Sequence, residues 1–235
     1  MRLLPSLLLR LNPCRGNRQL GYAAALAKVF GAGSETTHPH VPAEQAELYS
    51  AIDVGSAELE VLECLHSLVY LFKPRFALET GSYRGFSAMA IASAMRRNGR
   101  GQLISVDTDP GAIRLSKRHL SIFDPASLRL VQFELAESRD FLRAYSGQRF
   151  EFIFLDSDIT ARVQELEILQ ERALIAPDAI CVIHDTSRLR EQYRPGEARN
   201  IAGLEVFDRL ARLCESFEFP YARGFRFLKF TRRGC

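Results

Sequence analysis

The sequence predicts an α/β fold: a single doubly wound, seven-stranded sheet with helices on both faces and an antiparallel last strand. Between residues 56 and 216, short apolar segments alternate with longer segments of helical periodicity, which is typical of a mostly parallel sheet. Two aromatic-rich segments follow, around residues 217–219 and 225–230, with no helix between them. They are expected to pair as a hairpin, which makes the last strand antiparallel to the others.

Length and composition agree with one domain of this kind. The chain has 235 residues, of which 47% are hydrophobic, so it can form a sizeable core. A net charge of +3 gives no indication of nucleic-acid binding. Five cysteines without a C-x-x-C pair indicate reduced thiols and a cytoplasmic protein. No apolar run approaches the roughly 20 residues of a transmembrane segment.

Two regions differ in their patterns. Residues 1–55 form a basic N-terminal extension and loop, with no acid before Glu35. We expect this extension to pack as a helix on the domain or on a second subunit, and a membrane-surface or targeting role is the alternative. Residues 56–235 form the α/β domain.

The elements of the domain follow from periodicity and from helix-terminal residues. The first helix is expected to begin with Ser56 as its N-cap, because apolar residues then recur at three- and four-residue steps up to Phe72. Asp109 followed by Pro110 predicts another helix start. Strands are predicted at 76–79, 102–107, 128–133, 150–156, 179–184, 217–219 and 225–230, and further helices at 86–97, 110–122, 138–145, 160–174 and 200–216.

The segment 78–87, LETGSYRGFS, joins the first strand to the next helix through a glycine-containing turn. A dinucleotide fingerprint, G-x-G-x-x-G, would place glycine where this chain has Tyr83, so a pyrophosphate is poorly accommodated. Glu79 would repel phosphate but could pair with an ammonium group. Both features favour a nucleoside that carries an amino acid and no phosphate, and S-adenosyl-L-methionine is such a molecule.

The same segment resembles motif I of the class I S-adenosylmethionine-dependent methyltransferases. More narrowly, it is similar to the caffeoyl-CoA and catechol-type small-molecule O-methyltransferases and to related sugar and natural-product methyltransferases. The resemblance continues through 105–110, 152–158 and 182–185, and covers roughly residues 56–230. It implies a Rossmann-like fold and O-methylation of a small-molecule hydroxyl group.

The resemblance also implies a cofactor site at the carboxyl ends of the strands. Glu79 is expected to face the methionyl ammonium group, directly or through water. Asp107 is expected to accept both ribose hydroxyls, as the acid that ends the second strand does in doubly wound folds. Glu137 is a candidate partner of the adenine amine. The complete set of predicted cofactor-binding residues is Glu79, Gly81, Ser82, Tyr83, Ser87, Asp107, Glu137, Ser138 and Asp156.

The acceptor side departs from the family pattern. Cation-dependent relatives hold a divalent ion with an acid ending strand four and an Asp-Asn pair ending strand five. Here Asp156 and Asp185 match, but Thr186 replaces the asparagine. These three residues could still form a Mg²⁺ site through their oxygen atoms. The usual lysine is replaced by Ile159.

His184 is then the available base, so His184 and Asp156 are the predicted catalytic residues. The alternative is that His184 points away from Asp185, as neighbours on a strand do.

Other interpretations remain open at this stage. The acids could bind a metal for another reaction, such as hydroxylation, or the chain could be a non-catalytic cofactor-binding scaffold. The arginine-rich loop 187–199 could bind an anionic acceptor or could be solvated. The sequence leaves open the identity of the acceptor, O- or N-methylation, and whether the protein is a homodimer as many relatives are.

Overall fold

The computed structural model describes residues 52–53, 55–187, 214–219 and 223–230. The N-terminal extension up to residue 51, the arginine-rich loop from residue 188 onward and the predicted helix as far as residue 213 lie outside these residues. Within the described ranges the chain forms six helices and seven strands.

Helices and strands alternate from residue 59 to residue 184, except that two helices follow each other between residues 110 and 128. The helices are α1 Leu59–Phe72, α2 Phe86–Arg97, α3 Pro110–Phe123, α4 Pro125–Leu128, α5 Ser138–Ala144 and α6 Ile159–Glu171. The strands are β1 Phe76–Thr80, β2 Gln102–Asp107, β3 Val131–Leu135, β4 Phe150–Leu155, β5 Ile175–His184, β6 Glu215–Phe219 and β7 Phe225–Lys229.

The seven strands form one sheet in the order β3-β2-β1-β4-β5-β7-β6. Strands β1 to β5 pair with one another in parallel, and β7 is antiparallel to both β5 and β6. The predicted fold class is therefore confirmed. The strand order reverses between β1 and β4, and ligands of open α/β sheets bind beyond the carboxyl ends of the strands at such a point.

Several predicted boundaries were wrong. Strand β5 begins at Ile175 and not at residue 179, and α6 ends at Glu171 and not at residue 174. Helix α1 begins at Leu59 with Glu58 at the N-cap position, whereas Ser56 donates its hydroxyl to Asp53 Oδ2 at 2.9 Å. The third strand begins at Val131 because residues 125–128 form the short helix α4. Residues 215–216 belong to β6 and not to a helix.

The core lies on both faces of the sheet because successive strand side chains point to opposite sides. In β4, Phe152 and Phe154 pack on one face with α1 and α2, while Ile153 and Leu155 pack on the other face with α6. All four side chains are fully buried. These two layers fix the ends of β1, β4 and β5 relative to one another.

Candidate functional site

The turn after β1 lies against the end of β4. Gly81 has φ of +88°, and a Cβ atom at this position would overlap the carbonyl group of Asp156. Gly85 has φ of +78°, and a Cβ atom there would lie 2.7 Å from Ser116 Cβ on α3. The two glycines of the motif therefore permit close packing of the chain, in addition to any approach of a ligand.

A cleft of about 220 Å³ opens beside this turn. It is lined by Gly55, Ser56, Ala57, Gly81, Ser82, Tyr83, Arg84, Phe86, Ser87, Asp156, Ser157, Arg162 and Arg223. Five of the predicted cofactor residues are among them, namely Gly81, Ser82, Tyr83, Ser87 and Asp156. The cleft thus lies at the reversal of strand order between β1 and β4.

Asp107, at the end of β2, holds the turn in place. Its Oδ2 accepts hydrogen bonds from the backbone N–H groups of Ser82 at 2.8 Å and Tyr83 at 3.0 Å. Its Oδ1 accepts from the N–H of Asp109 at 2.8 Å. A carboxylate has about four acceptor positions, so these three bonds leave room for one more donor. The contact of Asp107 with the ribose hydroxyls stays a prediction.

Glu79 lies inside β1 and is fully buried behind the cleft lining. Its Oε2 accepts from the Ser105 hydroxyl at 2.5 Å, and the Ser87 hydroxyl also hydrogen-bonds to this carboxyl group. The other oxygen, Oε1, is buried without a hydrogen-bond partner among the described residues. Burial raises the pKa of Glu79 to about 8, although the serine hydroxyls act in the opposite direction.

Glu137 and Ser138 begin helix α5. Glu137 is the N-cap: its carboxylate accepts from the N–H of Asp140 at 3.1 Å and from Arg139 at 2.7 Å. The Ser138 hydroxyl donates to Glu165 of α6, a buried acid absent from the predicted set.

Glu165 also accepts from Thr80 at 2.9 Å and Ser157 at 2.6 Å. Three hydroxyls at the ends of β1 and β4 and the start of α5 therefore meet on one carboxyl group. Burial raises the pKa of Glu165, although the three hydroxyl hydrogen bonds act in the opposite direction.

His184, the last residue of β5, lies between two acids. Its Nε2 is 2.7 Å from Glu58 Oε2, and its Nδ1 is 3.1 Å from Asp156 Oδ1. Nδ1 is also 4.0 Å from Asp185 Oδ1. The side chains of His184 and Asp185 therefore lie close together, although successive side chains of a strand usually point to opposite faces. Glu58, at the N-cap position of α1, is completely buried against this imidazole.

The buried carboxylates determine the charge of His184. Burial alone would lower the pKa of His184, but the nearby Asp156, Asp185 and Glu58 carboxylates outweigh it and raise the pKa to about 9. Burial would likewise raise the pKa of Glu58, yet the imidazolium outweighs that effect and lowers it to about 2. At neutral pH Glu58 is therefore a carboxylate and His184 an imidazolium.

Two arginines contact the same acids. Arg223, in the turn between β6 and β7, donates from Nε to Asp185 Oδ1 at 2.5 Å and from Nη2 to Asp185 Oδ2 at 3.0 Å. Arg162 of α6 donates from Nη2 to Asp156 Oδ1 at 3.1 Å and to Asp185 Oδ2 at 3.2 Å. Sequence reasoning identified neither arginine, because each reaches the site only through the packing of α6 and of the last hairpin.

The residues predicted for Mg²⁺ come together but do not form an available metal site. Ligand atoms of Asp156, His184 and Asp185 lie within 4.8 Å of one another, which would suit a cation. However, Arg162 and Arg223 already donate to Asp185 and Asp156. Thr186 Oγ1 is buried and has no hydrogen-bond partner among the described residues, so it donates to neither carboxylate. This arrangement does not fit Mg²⁺.

Comparisons with known proteins agree with this fold. The family model described as "Methyltransferase domain" matches residues 78–186, which include β1 to β5. The O-methyltransferase ankF of Aspergillus thermomutatus is 29% identical over 133 residues, which are 54% of this chain and 54% of that protein. The chain therefore matches about half the length of this curated relative.

Solved structures show the same architecture. Cofactor-bound Rv0187 from MTB has a TM-score of 0.67 and 16% identity, with 97% of this chain and 98% of that chain covered. The O-methyltransferase TomG of Streptomyces achromogenes, in complex with SAM, has a TM-score of 0.64 and 18% identity, with 75% and 82% covered. At these identities the likeness shows the fold alone.

Residues 78–186 therefore match a methyltransferase domain, and the fold is that of these solved structures. The resemblance to class I methyltransferases, including O-methyltransferases, is confirmed.

Proposed function

We propose that this protein is an S-adenosylmethionine-dependent methyltransferase that methylates a hydroxyl oxygen of a small molecule. The observation that carries the proposal is the cleft between the ends of β1 and β4, where the turn at Gly81 meets Asp156. The matching domain and the relative ankF, which is itself described as an O-methyltransferase, support the same activity.

The residues around the cleft fit the proposed cofactor. Glu79 offers a buried, unpartnered oxygen behind Ser82 and Ser87, which suits an ammonium group bound through these serines or through water. Asp107 can accept one further hydroxyl, as a ribose would provide. Leu135 pairs with Asp107 in the sheet register and is 57% exposed, so it offers an apolar surface to an adenine ring.

Glu137 and Ser138 have smaller parts in this proposal. Both side chains have partners within the protein, the helix start and Glu165 respectively. The edge of the adenine would then be held by α5 as a unit, with Glu137 accepting from the adenine amine while it caps the helix.

The chemistry depends on an electrophile and on a carboxylate beside it. When bound, the sulfonium group supplies an electrophilic methyl group, which the acceptor oxygen takes while a thioether is released. Asp156 lines the cleft, and its Oδ1 is fixed by Arg162 and His184. Its Oδ2 is left to accept the hydrogen bond, and then the proton, of the acceptor hydroxyl.

His184 has a different role in this proposal from the one predicted. An imidazolium that is buried between two carboxylates and has a pKa near 9 cannot accept a proton at neutral pH. We infer that His184 positions Asp156 and is not itself the base. Two of the acids that raise its pKa, Asp156 and Glu58, are distant in sequence, which is why the isolated motif suggested a base.

The alternatives receive less support. A metal-dependent enzyme of another reaction type would need carboxylates that are available to the metal. Asp156 and Asp185 are instead paired with arginine. Helices long and apolar enough to cross a membrane do not occur among the described residues. A small-molecule acceptor, a homodimer, cytoplasmic localisation and the lack of nucleic-acid binding stay predictions.

Calorimetry with S-adenosylmethionine and its demethylated product, S-adenosylhomocysteine, tests the cofactor site, with NAD as a control for pyrophosphate binding. We expect both sulfur nucleosides to bind and NAD not to bind. Binding of NAD alone would overturn the proposal. Turnover is then measured with a panel of phenols, catechols and sugars, and cofactor binding without methylation of any acceptor would favour the scaffold instead.

A further inference from the structure

The acceptor side of the site contains three acids and three cationic groups, all held within the described residues. The acids are Glu58, Asp156 and Asp185, and the cationic groups are Arg162, His184 and Arg223. We call these six residues the charge cluster. Arg162 and Arg223 keep their charge, since a guanidinium group does not lose its proton in proteins. A divalent cation placed between Asp156 and Asp185 would therefore lie beside two positive charges that already contact these carboxylates.

Both arginines are fixed from a second side by backbone carbonyl groups. Arg162 donates from Nε to the carbonyl of Ser157 at 2.8 Å and from Nη1 to the carbonyl of His184 at 2.5 Å. Arg223 donates from Nη1 to the carbonyl of Ser56 at 3.1 Å. Their side chains are only 4% and 9% exposed. Moving either guanidinium group aside for a metal would leave these carbonyls and a carboxylate without donors.

Arg223 has N–H groups that are not engaged by the described residues. Three of its five N–H groups bind Asp185 and Ser56, and the other two have no hydrogen-bond partner among the described residues. Arg223 also lines the cleft together with Asp156. A hydroxyl that donates to Asp156 can therefore accept from Arg223 at the same time, and a guanidinium group stabilises the negative charge that develops on that oxygen.

We propose that Arg162 and Arg223 take the place of the divalent cation used by cation-dependent O-methyltransferases, so that methyl transfer here needs no metal and Arg223 positions the acceptor oxygen. This inference rests on the proposed function. Methyl transfer moves the carbon from sulfur to oxygen, the electron pair of the broken C–S bond stays on sulfur, and Asp156 receives the hydroxyl proton. No oxidant, reductant or metal is needed for this balance.

The first experiment measures Mn²⁺ binding to the whole wild-type chain by electron paramagnetic resonance, with and without S-adenosylhomocysteine. We expect no stoichiometric binding at about 1 mM Mn²⁺, far above the affinity of a functional carboxylate site. Stoichiometric binding that disappears in Asp185→Asn would overturn the proposal. This measurement involves neither an acceptor nor turnover, so its result is distinct from a failure of cofactor binding.

The second experiment removes one cationic group. Arg223→Gln leaves Asp185 without its bidentate partner, so the variant should gain Mn²⁺ affinity at least tenfold over wild type and should be stabilised thermally by added Mn²⁺. The matched control is Arg75→Gln, which uncovers the surface carboxylate of Glu151 and should gain nothing. Equal Mn²⁺ affinity in folded Arg223→Gln and wild type would contradict the proposal that Arg223 takes the place of the cation.

Arg223→Lys keeps the charge but loses the bidentate geometry. This variant tests the role of Arg223 if Arg223→Gln does not fold. With an acceptor from the hydroxyl panel, we expect its KM for acceptor to rise at least fivefold while cofactor affinity stays within twofold. Wild-type turnover should be unchanged by EDTA. An unaltered KM, or loss of wild-type turnover in EDTA that Mg²⁺ restores, would refute the role of Arg223.

Discussion

The acids in the two halves of the site have different partners. In the cofactor half, at the ends of β1 and β2, the partners of Glu79 and Asp107 among the described residues are serine hydroxyls and backbone N–H groups. In the acceptor half, at the ends of β4 and β5, the acids of the charge cluster have arginine and histidine as partners. The acids of the first half therefore have no positively charged partner among the described residues, whereas those of the second half do.

This difference indicates what each half can receive. A positively charged sulfonium compound with an ammonium group gains from the uncompensated acids of the cofactor half. A further cation gains little from the acceptor half, where each carboxylate already has a positively charged neighbour. The same residue type, an acid at a strand end, thus has two functions that depend on the donors that surround it.

The largest expected effect comes from breaking the charge cluster at its most buried acid. Glu58→Gln should leave His184 with an unbalanced charge, and loss of one partner of a buried ion pair costs about 3 kcal/mol or more. We expect the Tm to fall by about 10 °C in differential scanning fluorimetry. Glu60→Gln, on the exposed side of α1, is the control and should change the Tm little. An unaltered Tm for Glu58→Gln would mean that the cluster is not a stabilising unit.

A second variant tests the cofactor half. Asp107→Ala removes the acceptor of the Ser82 and Tyr83 N–H groups and the proposed ribose contact, so affinity for S-adenosylhomocysteine should fall at least tenfold. Calorimetry checks this, with Asp140→Ala, on the exposed surface of α5, as the control. Unchanged affinity would refute the assigned role of Asp107.

The third prediction concerns pH and the lack of countercharge at Glu79. The folded-state pKa, about 8, is raised above the ordinary value of 4.5, so the stability that this group contributes is complete below pH 4.5 and is lost as pH rises through 8. Glu79→Gln removes this dependence. We expect the variant to become more stable than wild type by about 2 kcal/mol at pH 9 but not at pH 4.5.

Urea denaturation of both proteins across this range measures the difference in free energy of unfolding between variant and wild type. Groups common to both, His184 included, cancel in that difference. A constant difference between pH 4.5 and pH 9 would show that Glu79 does not titrate as described.

The smallest expected effect is at the apolar end of the cofactor half. Leu135→Ala removes part of an exposed side chain, so affinity for S-adenosylhomocysteine should fall about threefold, consistent with a modest loss of apolar contact. Ile122→Ala, an exposed apolar residue of α3, is the matched control. An equal change in both variants would exclude a specific contact of Leu135 with adenine.

The fold could be predicted from the sequence because its signals are local. Alternation of strand and helix patterns gave the sheet, and the Asp109–Pro110 pair marked the start of α3, where Asp109 accepts from the N–H of Gly111 at 2.7 Å. The start of the third strand was misplaced because Pro125 favours a helix start and Leu128 then ends a short turn of helix.

The cofactor half was partly accessible for the same reason, since its turn lies in one continuous segment. The charge cluster was not, because its members come from distant parts of the chain. Glu58 and His184 are 126 residues apart, and Arg223 binds Asp185 from 38 residues away. With 31 arginine and lysine residues in the sequence, no spacing identifies the two that fold back onto the acids.

The hairpin turn has a consequence for how the protein is made. Its backbone at Arg223 donates to Glu58 Oε1 at 3.3 Å across 165 residues, and Gly224 has no room for a Cβ atom beside Ser187. While a ribosome has yet to produce these residues, Asp185 lacks the guanidinium group that binds both its oxygens. Nascent chains are therefore unable to complete the charge cluster until translation has passed the final hairpin.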